Sequence, residues 1–483
     1  MYSILFTFLL SLLLIYNFFY KSLILQNQYY SIKRYVLYKI ENPESFVINI
    51  FFLLLSIILT TINYYFSCLY LLYFINSFKS KTIKFKFTKR IIIHLILFVC
   101  FISLNILFVI FSYNIYYVII YNFFIYWISF YVSMFLEKIK QIYYINKAKE
   151  KLRRQKIKIV AITGSYGKTS CKNYIYQLIN KQFNVLVTPK SYNTLNGILI
   201  SINKLLKPFH EVLIVEIGVD EKNAMNKYLK HFSFDVCVVT CIGNQHIKTF
   251  KTIENIKKEK TKLLYAAKET IILNKDDDNL KDLLFDKQTI TCSANNNNAD
   301  IFVKQENDLL NIKIYDNFYT TKSSLIGIHN ICNLALCIGV SKAINTSNDV
   351  IINAISHLKN VDHRLSIKKD GKWTIIDDSY NSNYVGFKNA LNVLKAYPCY
   401  KVLITPGVIE QSKNNNEDKN LAKVIEENCD LVILINNPSI SNYIENKLSF
   451  THFIEAYTYL KGNYLDKEMV ILIENDVPDI YLK

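Results

Sequence analysis

Thr163-Gly164-Ser165-Tyr166-Gly167-Lys168-Thr169-Ser170 is the stretch on which the reading of this chain turns. It follows a β-branched run, 157–162, and opens a helical pattern, the setting that a phosphate-binding loop requires. Gly164 and Gly167 let backbone N–H groups turn toward phosphate oxygens, and a helix N-terminus behind them adds positive potential. Lys168 is placed to meet the β- and γ-phosphates, while Thr169 offers a hydroxyl to Mg²⁺. The usual first glycine of such a loop is replaced by Ile162. The chemistry expected here is therefore ATP with Mg²⁺, held by Gly164, Ser165, Gly167, Lys168, Thr169 and Ser170.

Working outward toward the C-terminus, short apolar runs alternate with helical stretches, the signature of parallel α/β architecture. Two of them end in candidate metal ligands. The run 212–215 leads into Glu216-Ile217-Gly218, and 236–242 leads into Gly243-Asn244-Gln245-His246. Ligands in open α/β sheets lie beyond the carboxyl ends of the strands, so Glu216 and His246 are expected to converge on the loop. A second set of runs, 373–376, 401–404, 431–435 and 469–473, predicts a Rossmann-like C-terminal domain.

Working toward the N-terminus, the composition changes. The chain has 483 residues, and all 11 glycines fall at or after Gly164. Apolar blocks cover 2–20, 46–76, 91–112 and 115–136, each near or above the ~20 residues that a helix needs to cross a bilayer. Lys79, Lys81, Lys84, Lys86, Lys89 and Arg90 stand before the third block. Lys138, Lys140, Lys147, Lys149, Lys151, Arg153 and Arg154 follow the fourth. The positive-inside rule puts both clusters in the cytosol. The expectation is an α-helical transmembrane region of about four spans, 1–137, with membrane lipid as a partner, and a basic linker, 138–156. An α/β ATP-binding domain, 157–345, and the Rossmann-like domain, 346–483, then face the cytoplasm of a bacterial cell membrane. The net charge of +18 is attributed to these membrane-flanking clusters, and no nucleic-acid partner is expected. Ten cysteines without a Cys-x-x-Cys pair read as reduced thiols.

The order of motifs resembles the Mur ligase family over roughly 156–483. The residues that carry the likeness are the loop 163–170, Thr188-Pro189 with Ser191-Tyr192-Asn193-Thr194, Glu216-Ile217-Gly218, Cys241 to His246, Lys260, Leu273-Asn274-Lys275-Asp276-Asp277, Gly327-Ile328-His329-Asn330, His363-Arg364 and Asp377-Asp378-Ser379-Tyr380-Asn381-Ser382-Asn383. The last of these resembles the branch that adds D-alanyl-D-alanine to a muramoyl-tripeptide. Thr405-Pro406-Gly407 and Glu474-Asn475-Asp476 resemble a membrane-attached subgroup.

The likeness implies an ATP-dependent amide ligase of peptidoglycan synthesis, with muramoyl-peptide and D-amino-acid substrates. It further implies Thr169, Glu216, His246 and a carbamylated Lys260 at the metal, with Lys168, Lys260, His246 and Arg364 catalytic. Asn274, Asn330, Arg364, Asp378 and Tyr380 then lie on the nucleotide side, and Ser191, Tyr192, Asn193, Thr194, Asn381 and Asn383 on the substrate side. The family's soluble uridine-binding N-terminal domain is replaced by the apolar blocks. This keeps other acceptors open, among them a lipid-linked muropeptide and poly-γ-glutamate. An ATP-binding membrane scaffold is the reading from another class.

Overall fold

The computed structural model describes residues 15, 18–27, 30, 32–41, 86–112, 115–189, 192–306, 309–323, 325–380, 384–408, 415–436 and 439–475. Two compact units divide the chain, Met1–Tyr143 and Tyr144–Lys483.

In the second unit, strands β1 (Lys158–Thr163), β2 (Val185–Val187), β3 (Val212–Glu216), β4 (Phe234–Val239), β5 (Ala267–Asn274), β6 (Gln288–Ser293) and β7 (Ile301–Glu306) pair in parallel in the order β2-β3-β1-β4-β5-β6-β7. Strands β8 (Leu309–Ile314) and β9 (Asn317–Lys322) extend the far edge as antiparallel strands. Alternate residues feed opposite cores. Val160, Ile162, Ile214 and Val238 face one layer of helices, and Ile159, Ala161, Val215 and Val239 face the other. A sheet covered on both faces needs this continuous apolar content, which is why β1, β3 and β4 read as unbroken runs rather than as alternating ones. Because β1 lies between β3 and β4, the chain reverses its winding direction at β1. A crevice opens there beyond the strand ends, where the glycine loop follows.

The second sheet has the order β10-β11-β15-β12-β13-β14, built from β10 (Ser366–Asp370), β11 (Trp373–Asp378), β12 (Tyr400–Thr405), β13 (Leu431–Ile435), β14 (Leu448–Phe450) and β15 (Met469–Glu474). All its pairings are parallel except β10 with β11. The expected α/β architecture is present in both sheets.

The expected transmembrane region is overturned, and with it the multi-pass bacterial cell membrane location and the lipid partner. Among the described residues, no helix is long and apolar enough to cross a membrane. The block 46–76 and most of 2–20 lie outside the described residues. Part of the other two blocks builds a helix-on-helix core, in which Ile91, Phe98, Ile125, Tyr126 and Phe130 are buried together with Phe18 of the first, while Ile96, Leu104 and Phe135 stay exposed. Polar groups inside that core satisfy one another: the His94 ring bonds Ser129 Oγ at 3.1 Å, and Ser133 donates to the Phe130 carbonyl at 2.7 Å. The fourth block is the opening of one 40-residue helix, Ile115–Arg154, which runs on through the basic cluster expected as a linker. Counting apolar residues measures composition, and the interior of a helix pack shares that composition with a bilayer.

Helix Ile328–Ala343 lies between helix Lys168–Ile179 and strands β6 and β7, with Leu334 fully buried. Leu334→Ala is expected to cost about 3 kcal/mol through lost transfer energy and a residual cavity. The shift of the urea unfolding midpoint reads this cost; a midpoint within error of the wild type would contradict the packing.

Candidate active site

The glycine loop is shaped from beneath by the end of β4. Gly164 has φ +149°, and a Cβ added there would fall on the Thr240 hydroxyl. Gly167 has φ +78°, and its added Cβ would come within 2.6 Å of Asn333 Oδ1. Thr240 donates its hydroxyl to the Tyr166 carbonyl, and its own carbonyl accepts from Asn274 Nδ2 at 2.6 Å. Ser165 ties the loop to the next turn: its amide donates to the Cys241 carbonyl at 2.8 Å, and its hydroxyl accepts from the Gly243 amide at 2.9 Å. These bonds hold the loop open without help from a ligand.

Two lysines meet on one loop carbonyl. Lys168 Nζ donates to Gly164 O at 2.7 Å, to Ser165 O at 2.9 Å and to Gln245 Oε1 at 3.1 Å. Lys260 Nζ donates to the same Gly164 O at 2.7 Å. Lys260 comes from helix Ile253–Tyr265, where Ile256, Glu259, Lys260, Leu263 and Leu264 form the buried face. Helical spacing selects it over Lys257, Lys258 and Lys262. Burial, and then the neighbouring Lys168 charge, hold the Lys260 pKa well below the usual lysine range.

Glu216, at the end of β3, is fully buried and held at both oxygens. Asn193 Nδ2 donates to Oε1 at 3.2 Å; Thr169 Oγ1 donates to Oε2 at 3.1 Å, and Lys172 Nζ lies 3.1 Å from that same Oε2. Thr169 and Glu216 thus offer adjacent hard oxygen donors of the kind that Mg²⁺ takes. Among the described residues, no group of three or more His, Cys, Asp or Glu side chains is gathered to hold a metal. Mg²⁺ commonly keeps its remaining positions for phosphate oxygens and water, so the two-donor set fits it. His246 is half-buried, with φ +60°, one residue beyond the Gln245 that bonds Lys168.

On the substrate side, Asn193 reaches Glu216, Thr194 caps helix Leu195–Ile200 by accepting the Gly197 amide at 3.2 Å, and Tyr192 is exposed. Ser191, Asn381 and Asn383 lie outside the described residues. Asn274 and Asn330 are both buried and bonded within the protein. Asn274 braces Thr240, and Asn330 donates to the Ile326 carbonyl at 2.8 Å and accepts from Tyr174 at 3.3 Å.

Arg364 sits over the Tyr380 ring, 4.5 Å from its centroid. Its pKa is lowered by burial, against the attraction of Asp378, Tyr380, Glu216 and Glu474. The C-terminal arginine is therefore within electrostatic reach of the central carboxylate. Asp378 and Glu474 are register partners at the ends of β11 and β15, and Glu474 is fully buried. Burial pushes the Asp378 carboxyl up to about 6, with Arg364 pulling it down and a hydrogen bond to Glu474 alongside.

Sequence reasoning did not single out Lys172. Its signal was its place three residues after Thr169, which puts both side chains on one side of the helix.

Comparison with known proteins gives a family match over part of the chain. Residues 162–341 match the Mur ligase middle domain. The middle of the chain is thus similar to Mur ligases, over less than half of its length. It is 25% identical over 272 residues to the UDP-N-acetylmuramoyl-tripeptide--D-alanyl-D-alanine ligase of Bacillus subtilis, covering 54% of this chain and 59% of that enzyme. The Escherichia coli enzyme of the same name is 24% identical over 264 residues, covering 52% and 58%. The chain thus spans less than two thirds of the length of either relative. Among solved structures, MurF ligase from Thermotoga maritima in complex with ADP has a TM-score of 0.61 at 22% identity, covering 70% of this chain and 80% of that one. MurF from Acinetobacter baumannii has a TM-score of 0.62 at 17% identity, with coverage of 70% and 77%. These likenesses show a shared fold over 70% of the chain.

Asp378 generates a pH prediction. Its folded-state pKa of about 6 lies above the ordinary carboxyl value of 3.8. Its contribution to stability is therefore full below pH ~4 and is lost as pH rises through ~6. In urea melts from pH 4 to 7, Asp378→Asn should lose less stability with rising pH than the wild type; parallel profiles would contradict the buried, protonated carboxyl.

Proposed function

We propose that this chain is an ATP-dependent amide ligase that activates a substrate carboxylate as an acyl phosphate and couples it to an amine. The preferred reaction adds D-alanyl-D-alanine to a muramoyl-tripeptide. The observation that carries this reading is the meeting of Lys168, Lys260, Thr169 and Glu216 around one glycine loop, at the strand ends of a Mur ligase middle domain.

The chemistry follows from the charges. In the first step a carboxylate oxygen bonds the γ-phosphorus, the bridging bond breaks, and ADP leaves; the amine then bonds the acyl carbon and phosphate departs. Negative charge spreads over the phosphoryl oxygens during the transfer, so fixed cations supply most of the rate enhancement. Lys168 is held at the loop mouth by carbonyls that a phosphate outcompetes, because a charged acceptor makes the stronger hydrogen bond. Thr169 and Glu216 would hold Mg²⁺, which when bound neutralises phosphate charge and fixes the phosphate geometry. Arg364 brings a second cation from the C-terminal sheet, and the ring of Tyr380 beneath it limits its freedom. Two relatives bear names for this same reaction.

With ATP and Mg²⁺, the purified chain should sustain ADP release over many turnovers only when both UDP-linked muramoyl-tripeptide and D-alanyl-D-alanine are present. Lys168→Ala should slow this by roughly 100-fold or more, the scale of losing one transition-state donor. ADP release that ignores the tripeptide would remove the D-alanyl-D-alanine assignment, and release that survives Lys168→Ala would remove the site.

Lys260 extends the proposal. Its neutral amine can add to carbon dioxide, forming an N–C bond and shedding a proton, to leave a carbamate anion on the loop. Incubation with ¹³C-bicarbonate should give a carbamate resonance that Lys260→Ala lacks; identical spectra would exclude the modification.

A further inference from the structure

The Lys172–Glu216 pair buries beside Glu216 a cation that the reaction as written does not use. Both side chains are 2% exposed. Removing two charges from water this completely is costly unless each neutralises the other, so the pair is as much a constraint on the fold as a bond within it. Its geometry is pointed. Glu216 Oε2, the oxygen best placed for a metal, accepts Thr169 Oγ1 and Lys172 Nζ, each at 3.1 Å, while Asn193 secures Oε1. Thr169 can keep its hydrogen bond to Glu216 and still ligate a metal through an oxygen lone pair. An ammonium has three donors and no lone pair, so Lys172 cannot share the metal and must leave the side of Oε2 that the ion takes.

We propose that Lys172 is a place-holding cation for the divalent-metal site, neutralising Glu216 while no metal is bound and yielding Glu216 Oε2 when a metal–nucleotide complex arrives. The inference rests on the reading of Thr169 and Glu216 as the Mg²⁺ donors. Lys172 is on this view a positioning residue. Its four-carbon stem lets the ammonium swing while the helix stays in place. The exchange keeps the buried charge balanced in both states, so neither filling nor emptying the site leaves an isolated carboxylate inside the sheet edge.

The sign of the effect separates this role from a merely structural one. Thermal melts are recorded with ADP in EDTA and with ADP plus Mg²⁺, so that only the metal differs. In EDTA, Lys172→Met should melt roughly 5 °C or more below the wild type, since Glu216 is stranded. The upward shift on adding Mg²⁺ should be larger in the variant than in the wild type, because the ion restores the lost charge and meets no competitor. Lys172→Met/Glu216→Gln should regain much of the stability in EDTA. Lys172→Gln, which keeps a hydrogen bond to Glu216 without the charge, carries the same comparison should the methionine variant not fold. An unchanged or smaller Mg²⁺ shift in the Lys172 variants, with the shift lost in Glu216→Gln, overturns the place-holding role alone. A full Mg²⁺ shift in Glu216→Gln removes the metal site and this proposal together.

Discussion

The site depends on the contact between Gly164 and the end of β4. A phosphate loop works by keeping its backbone N–H groups turned outward, a shape that most side chains forbid. Here the turn at Gly164 presses directly on Thr240, so the loop's conformation is set by the spacing of β1 and β4. Asn274 in turn fixes Thr240, which carries the constraint to the next strand over. Three adjacent strand ends thus position one loop, and the parallel pairing of β1 with β4 and of β4 with β5 keeps their separation fixed.

Cation placement follows from this scaffold. Lys168 and Lys260 approach Gly164 O from different elements, one at the start of the loop's own helix and the other from helix Ile253–Tyr265. Two amines at one carbonyl repel each other when both are charged. The deeper one, Lys260, is shifted toward neutrality by burial. Glu216 shows the complementary arrangement: its carboxyl group is surrounded by Thr169, Asn193 and Lys172. One site thus contains a lysine pushed toward its neutral form and a carboxylate matched by a buried cation. The C-terminal sheet adds Arg364, whose field reaches Glu216, and the Asp378–Glu474 carboxyl pair.

Motifs that combine backbone conformation with a fixed spacing were legible in advance. The glycine loop and the strand that runs into Glu216 follow from residue type and period, because each is decided within a dozen residues, whereas the strand expected over 236–242 already ends at Val239. The N-terminal region was misjudged for a definite reason. Hydropathy over 91–112 and 115–136 reports apolar composition, and for Ile91, Phe98, Ile125 and Phe130 packing against Phe18 and Tyr126 removes the side chain from water as lipid would. The basic residues after 136 were expected as a linker, yet they continue one helix whose later turns place Ile145 and Ala148 in the core beneath β1.

The sequence alone determined the α/β class of the two C-terminal thirds, the position of the glycine loop between strand and helix and the family likeness, since all three are written in local pattern and in the order of motifs. Only the tertiary structure decided which charges meet. The pairing of Lys172 with Glu216, the shared carbonyl under Lys168 and Lys260, and the carboxyl pair of Asp378 and Glu474 depend on which strands lie side by side. Strand order is set by how whole layers bury their apolar faces, and no local stretch of residues records it.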